Sequence, residues 1–250
     1  MSPNFDLTGK TALVTGSTRG IGRAIAEALG AAGAALYAHG SDAAAIEERV
    51  QDWTIRGFRA AGVKADLSKP EDIGALPGHM RLGSPDILVL NASVEIDEGW
   101  DELTPDAMHI QGMVNVNASA LLIQSLLPHM LAKGWGRVLA IGSVQEERPN
   151  ARHIFYAATK VAQTSLILNL ARHTRAHDVT FNVLTPGAIE TDRNRARLSD
   201  PNFRTRVEER IPLGTIGRPE DCAGAALLLC SDAGRYINGA VLAVDGGLRL

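Results

Sequence analysis

The chain has 250 residues, 45% of them hydrophobic, which is enough to bury the core of a single domain spanning 1–250. Twenty-five basic residues against 28 acidic ones leave a formal charge of −3, which argues against a protein built to bind nucleic acid or another polyanion. Met1 to Lys10 has no basic region followed by an apolar stretch, and the other apolar runs are short or interrupted. A cytoplasmic protein with no membrane span is expected.

Thr11 to Thr15 reads as a strand, followed by Gly16-Ser17-Thr18-Arg19-Gly20-Ile21-Gly22 and a helix with its apolar stripe at Ile21, Ile25, Ala28 and Leu29. Glycines in a strand-to-helix turn let backbone N–H groups face a pyrophosphate with no Cβ in the way. The spacing is G-x-x-x-G-x-G, not the common G-x-G-x-x-G, and a plain tight turn is the competing reading of this motif alone.

Ala34 to His39 forms a second strand, Ser41 is placed to cap a helix to about Arg56, and Phe58 to Ala65 forms a third strand closed by Asp66. Pro70 opens a short helix to about Arg81, and Asp86 to Asn91 is a nearly unbroken apolar strand of the kind found in parallel sheets. Thr104-Pro105-Asp106 starts a helical pattern that runs through Asn115 to Met130. Arg137 to Ile141 is the fifth strand, a helix spans about Tyr156 to Thr174, and Val179 to Thr185 is the sixth strand. A polar stretch from Ile189 to Pro212, a helix opened by Pro219 and a strand at Val241 to Val244 complete the order. This alternation predicts an α/β fold, a doubly wound Rossmann-type seven-stranded parallel sheet with helices on both faces. Ligands bind such sheets at the carboxyl ends of the strands.

Tyr156 and Lys160 stand four apart on one helix, where they share a face, with Ser143 thirteen residues before the tyrosine. A free phenol has a pKa of about 10 and is a poor base at neutral pH, so an ammonium beside it would favour its ionised form. Cys222 and Cys230, eight apart on one helix, are expected as reduced buried thiols. The seven histidines lack the spacing and partners of a zinc site, and no metal is expected.

The chain resembles the short-chain dehydrogenase/reductase family over essentially its whole length. The resemblance rests on Thr15-Gly16-x-x-x-Gly20-Ile21-Gly22, Asp66-Leu67, Asn91-Ala92, Asn115, Ser143, Tyr156-x-x-x-Lys160, Pro186-Gly187 with Thr191, and Asp245-Gly246-Gly247. The tail from Ile211-Pro212-Leu213-Gly214 to Gly247 resembles the 3-oxoacyl carrier-protein reductase branch and its relatives.

The resemblance implies an NAD(P)-dependent oxidoreductase that interconverts a carbonyl and a secondary alcohol. Tyr156 would be the general acid or base, Lys160 would lower its pKa and hold the nicotinamide ribose, and Ser143 would hydrogen-bond the reacting oxygen. Asn115 would support Lys160 through water. The dinucleotide would lie along Gly16, Ser17, Thr18, Arg19, Gly20, Ile21 and Gly22. Asp66, Leu67, Asn91, Ala92 and Ser93 would line it on one side, and Pro186, Gly187, Ile189 and Thr191 on the other. By similarity to the family, an acid selecting NAD would stand at position 40, where this chain has Gly40. Arg19, with Ser41 and His39 adding donors, favours NADP. Asp42 is the argument for NAD, with helix capping as its other role.

Ser93 replaces the glycine usual after Asn-Ala, His173 stands where many relatives carry Glu, and Asp178 replaces a common Gly. The last two bear on the packing through which a homotetramer or homodimer would form. The substrate pocket would be walled by Ser93 to Asp97, Gln145 to His153 and a mobile lid at about 189–212. Arg193, Arg195, Arg197, Arg204, Arg206 and Arg210 lie in that lid among five acids, the pattern of a solvated helix. Arg148 and Arg152 are the better candidates to meet an anionic substrate, with Glu146 and Glu147 as alternative partners. A catalytically inactive nucleotide-binding protein of the same fold is the alternative function. An epimerase or dehydratase would need an acidic partner or an extra substrate domain, neither of which is evident.

Overall fold

The protein is described by a computed structural model covering residues 3–148, 150–174 and 178–250. Seven parallel strands form one sheet: β1 (Thr11–Val14), β2 (Ala35–Gly40), β3 (Ala60–Lys64), β4 (Ile87–Leu90), β5 (Trp135–Ile141), β6 (Asp178–Pro186) and β7 (Val241–Val244). Their order is β3-β2-β1-β4-β5-β6-β7, so the chain reverses direction across the sheet between β1 and β4. A crevice opens at the strand ends beside such a reversal.

The helices are α1 (Gly20–Ala31), α2 (Ala43–Ile55), α3 (Pro70–Ala75), α4 (Pro105–Gly112), α5 (Ala118–Lys133), α6 (Ile154–His173), α7 (Asp192–Leu198), α8 (Pro201–Glu208) and α9 (Asp221–Cys230). Each apolar strand serves two cores because alternate side chains point to opposite faces. Ala12, Val14, Leu36, Ala38, Ile87 and Val89 pack with Ile25 and Leu29 of α1 and with Ala226 and Leu229 of α9. Leu13, Tyr37, Leu88, Leu90, Val138 and Ala140 pack with Leu122 and Leu126 of α5 and Ile167 of α6. Cys222 and Cys230 are free thiols buried in the first core, and burial pushes both up to about 12.

Element boundaries differ from expectation where local hydrogen bonding competes with the strand or helix pattern. Phe58 N–H bonds the Trp53 carbonyl at 2.9 Å, closing α2, so β3 begins only at Ala60. The helix opened by Pro70 ends at Ala75 and passes into a 3-10 turn, Leu76–His79, that contains Pro77. Asp42 rather than Ser41 caps α2, its carboxylate accepting from Ala44 N–H at 2.9 Å.

The pattern after Thr104 becomes one continuous run, Pro105–Lys133, joined by a π-turn at Met113–Asn117. By length and composition this run could cross a membrane, contrary to the sequence expectation of interrupted segments. Half of its most apolar stretch is buried within the domain, where it serves the second core.

Arg137 at the start of β5 is fully buried. It pairs with Asp178 at 2.9 Å and Asp232 at 3.1 Å and stacks 4.3 Å from the Trp135 ring centroid. Asp178, which departs from the family pattern, thus serves as counterion to a core guanidinium between β5 and β6.

Candidate active site

The turn after β1 is held open by its glycines. Gly16 and Gly20 have φ of +65° and +57°, and a Cβ on Gly22 would lie 2.6 Å from the Gly16 carbonyl oxygen. Thr15 Oγ1 accepts from the N–H groups of Asn91 (2.9 Å) and Ala92 (3.0 Å), and Asn91 Nδ2 donates to the Thr15 carbonyl at 2.8 Å. The end of β4 is thereby clamped to the turn, which explains the pairing of Asn91-Ala92 with Gly16 to Gly22.

Ser17 and His39 turn inward instead of reaching the crevice. Ser17 Oγ accepts from His39 N–H at 3.0 Å and donates to the Tyr37 carbonyl at 3.3 Å. His39 Nδ1 accepts from Gly16 N–H at 3.2 Å, and burial lowers the imidazole pKa to about 4. A neutral, buried His39 fixes the turn; it is not a cation for a 2′-phosphate.

At the end of β2, Gly40 offers no acid, and the Asp42 carboxylate is committed to its cap. Arg19 is exposed, one residue after Thr18, whose Cγ2 would lie 3.5 Å from a Cβ on Gly40. Arg49 of α2, which the sequence reading passed over, donates to the Thr18 carbonyl at 3.3 Å and pairs with Asp52 at 2.7 Å, bracing the same loop. Asp66 accepts from the N–H and hydroxyl of Ser68, bonds that hold its carboxyl below the usual range, while Leu67 and Ile189 are buried in the two cores. A Cβ on Gly187, after Pro186, would lie 2.6 Å from Asp245 Cα, so β6 and the segment after β7 approach closely there. Thr191 caps α7 opposite Gly20, and a cleft of about 510 Å³ opens between Arg19, Gly20, Thr191 and Arg195.

Tyr156 and Lys160 lie on α6, both almost wholly buried. Burial, then the nearby Glu95 carboxylate, push the Tyr156 phenol up to about 12; Arg193 and the hydroxyls of Ser143 and Ser93 act in the opposite direction. Lys160 Nζ donates to the Ile141 carbonyl at 2.8 Å and to Gln163 Oε1 at 3.0 Å. Burial lowers Lys160 to about 8, opposed by Glu146. The ammonium is 5.8 Å from the phenol ring centroid, so the direct contact expected from their spacing gives way to bonds with β5 and Gln163.

Asn115 sits in the π-turn, fully buried, a common setting for functional residues. Its Oδ1 accepts from Val94 N–H at 2.8 Å, and its Nδ2 donates to the Val94 carbonyl at 2.8 Å and Thr159 Oγ1 at 2.9 Å. It therefore ties the strap after β4 to α6 directly. Ser143 opens a 3-10 turn, its N–H bonded to Glu146 Oε1 at 2.8 Å and its Oγ accepting from Gln145 N–H at 3.2 Å. Glu146 thus organises the Ser143 turn rather than neutralising an arginine.

The wall above the phenol is polar. Glu95 places one carboxylate oxygen 3.1 Å from His153 Nδ1 and the other 3.0 Å from Arg193 Nη1. Arg152, expected to face an anionic substrate, is instead held by Asp97 and Glu102, each at 2.6 Å, and Arg148 bonds the Leu248 carbonyl. Within 189–212, Arg195 pairs with Asp192 and Arg204 with Glu190, as in a solvated helix, but Arg193 and Arg197 reach across to Glu95 and Asp97. Glu95, Arg193 and Glu146 were legible in the sequence only as charges, because their partners lie on other elements.

A family model described as enoyl-(acyl carrier protein) reductase matches residues 16–249. The chain is 35% identical to a 3-oxoacyl-[acyl-carrier-protein] reductase of Pseudomonas aeruginosa, over 98% of this chain and 99% of the relative. A solved 3-oxoacyl (acyl-carrier-protein) reductase from Agrobacterium tumefaciens with NADP bound superposes with a TM-score of 0.93 at 40% identity, covering 98% and 96% of the two chains. A gluconate 5-dehydrogenase from Burkholderia cenocepacia in complex with NADP and tartrate gives 0.93 at 34% identity, covering 98% and 97%. With the glycine turn, the buried Tyr156 and Lys160 on one helix and Ser143 at the end of the neighbouring strand, these matches establish that the chain belongs to the short-chain dehydrogenase/reductase family.

Proposed function

We propose that this NAD(P)-dependent oxidoreductase interconverts a carbonyl and a secondary alcohol with NADP as its preferred cofactor and Tyr156 as general acid/base. The observation that carries this reading is the convergence of Tyr156, Ser143 and Lys160 at the strand ends beside the Gly16–Gly22 turn. The residues fit a dinucleotide: Gly16 and Gly20 hold positive φ in the turn after β1, and Gly40 with Arg19 in place of an acid suits a 2′-phosphate. NADP bound to similar structures supports the same choice.

When bound, the nicotinamide supplies or accepts the hydride. Tyr156 Oη gives its proton to the carbonyl oxygen in reduction and takes one from the alcohol in oxidation. A phenol pushed to about 12 stays protonated at neutral pH and so stands ready to act as the acid. Ser143 donates its hydroxyl hydrogen to the same oxygen and stabilises the charge that develops there. Lys160, braced by Ile141 and Gln163, keeps its ammonium at the floor of the site to hold the ribose. Asn115 fixes the strap that carries Ser93 against α6.

We place the protein in the cytoplasm as a homodimer or homotetramer. Strand β7 is a sheet edge, with Val241, Tyr236 and Leu250 exposed nearby, and such an edge is commonly covered by a partner. Tyr156→Phe, assayed with NADPH against ketones, 3-oxoacyl thioesters, sugars and steroids, is expected to lose reduction by roughly 10²–10⁴-fold while still binding NADPH. Turnover equal to the unmodified enzyme would refute the role of Tyr156.

A further inference from the structure

The strap that leaves β4 alternates along Ser93-Val94-Glu95-Ile96-Asp97. Successive residues of an extended segment face opposite sides, so Ser93, Glu95 and Asp97 share one side while Val94 packs on the second core. The shared side meets α7. Arg193 Nη2 donates to the Ser93 carbonyl at 2.9 Å and to Ser93 Oγ at 3.3 Å, and its Nη1 donates to Glu95 Oε2 at 3.0 Å. Arg197, one turn further along the same helix face, reaches Asp97 at 3.5 Å. The start of α7 touches the other bank of the crevice: a Cβ on Gly20, in the turn after β1, would lie 3.7 Å from Thr191 Cγ2. Residues 191–197 therefore span from the glycine turn to the β4 strap, across the strand ends where a dinucleotide binds such a sheet.

We propose that Arg193 and Arg197 are positioning residues that latch α7 across the dinucleotide crevice, so that the cofactor leaves only after their bonds to Ser93, Glu95 and Asp97 break. The latch rests on the reading of the crevice as an NADP site. Serine at position 93, in place of the glycine usual in the family, adds a hydroxyl acceptor to the carbonyl that any residue there would offer. Glu95 is the firmer anchor. Its side chain is only 18% exposed and its other oxygen lies 3.1 Å from His153 Nδ1, whereas Asp97 is 49% exposed and shared with Arg152. Water screens the Asp97 pair more strongly, so Arg193 carries most of the latch.

Release of NADPH is read by stopped-flow fluorescence on displacement with excess NADP. Arg193→Met is expected to raise the release rate by about 3–10-fold, Ser93→Gly and Arg197→Met to raise it by less, and Arg193→Lys to restore part of the retention. Glu95→Gln is expected to speed release as well, and adding it to Arg193→Met to change the rate little further, because both remove the same ion pair. Added salt should speed release more from the unmodified protein than from the variant carrying both Arg193→Met and Arg197→Met. Hydrogen exchange without cofactor reads the docking of α7 directly: amides of 191–198 should exchange faster in Arg193→Met while those of β4 and β5 keep their protection. An unchanged release rate in Arg193→Met and in the double variant would overturn the latch, whether or not exchange rises. Failure of the unmodified protein to bind NADPH would instead overturn the functional reading on which the latch rests.

Discussion

Lys160 Nζ lies 5.8 Å from the ring centroid of Tyr156 and spends its hydrogen bonds on the Ile141 carbonyl and Gln163 Oε1. The largest opposition to the phenol's upward shift comes instead from the charge of Arg193 on α7. The two residues share a helix face, yet the lysine is anchored to the sheet below the tyrosine.

That anchoring predicts how stability varies with pH. Lys160 is lowered to about 8 in the folded protein against about 10.5 unfolded. Between those values the unfolded chain binds more protons, so this group makes stability rise with pH across that window. Lys160→Met removes the contribution. Its Tm minus that of the unmodified protein is expected to be most positive near pH 7 and to shrink by pH 10, as read by thermal melts; a constant difference would contradict a buried, depressed ammonium.

Under the proposed function, cofactor choice is expected to turn on Arg19, since Asp42 is occupied by its cap. Arg19→Ala is expected to lower kcat/KM for NADPH by about 10–100-fold, the worth of one charge-assisted hydrogen bond, with NADH little affected. An equal loss with both cofactors would mean that Arg19 supports the loop and does not read a phosphate.

Gly22→Ala tests the close approach of the turn. Its Cβ would lie 2.6 Å from the Gly16 carbonyl oxygen, so the turn must shift. We expect a loss of about 1–3 kcal/mol in stability and weaker NADPH binding. Urea melts and fluorescence titration of NADPH check both; unchanged values would show that the turn relaxes freely.

Arg137→Ala leaves Asp178 and Asp232 without their buried partner. A loss of about 1–3 kcal/mol in unfolding free energy is expected, from the Ser231, Gly136 and Asp178 carbonyls that lose their donor. Replacing Asp178 by Gly, the residue common in relatives, should cost less because Asp232 still faces the guanidinium. Chemical denaturation of the two variants orders them.

Much of the fold was legible because its signals are local. The unbroken apolar run at Asp86 to Asn91 and the glycine spacing at Gly16 to Gly22 each reflect backbone requirements met by neighbouring residues. The α2 cap was misplaced by one residue because Ser41 and Asp42 are both good acceptors, and only backbone geometry decides which reaches Ala44 N–H. Arg152 looked free in the sequence because its partners Asp97 and Glu102 lie some fifty residues away.

By itself, the sequence determined the alternation of strands and helices and the glycine turn, because periodicity and spacing are properties of contiguous residues; the set of Asn115, Ser143, Tyr156 and Lys160 came from the resemblance to the family. Tertiary structure alone decided what those groups touch. Asn115 bonds Val94 and Thr159, Lys160 bonds Ile141, and Arg193 crosses from α7 to Ser93 and Glu95. Hydrogen bonds and charge interactions act over a few ångströms in space, and chain separation carries no information about them once the sheet has folded.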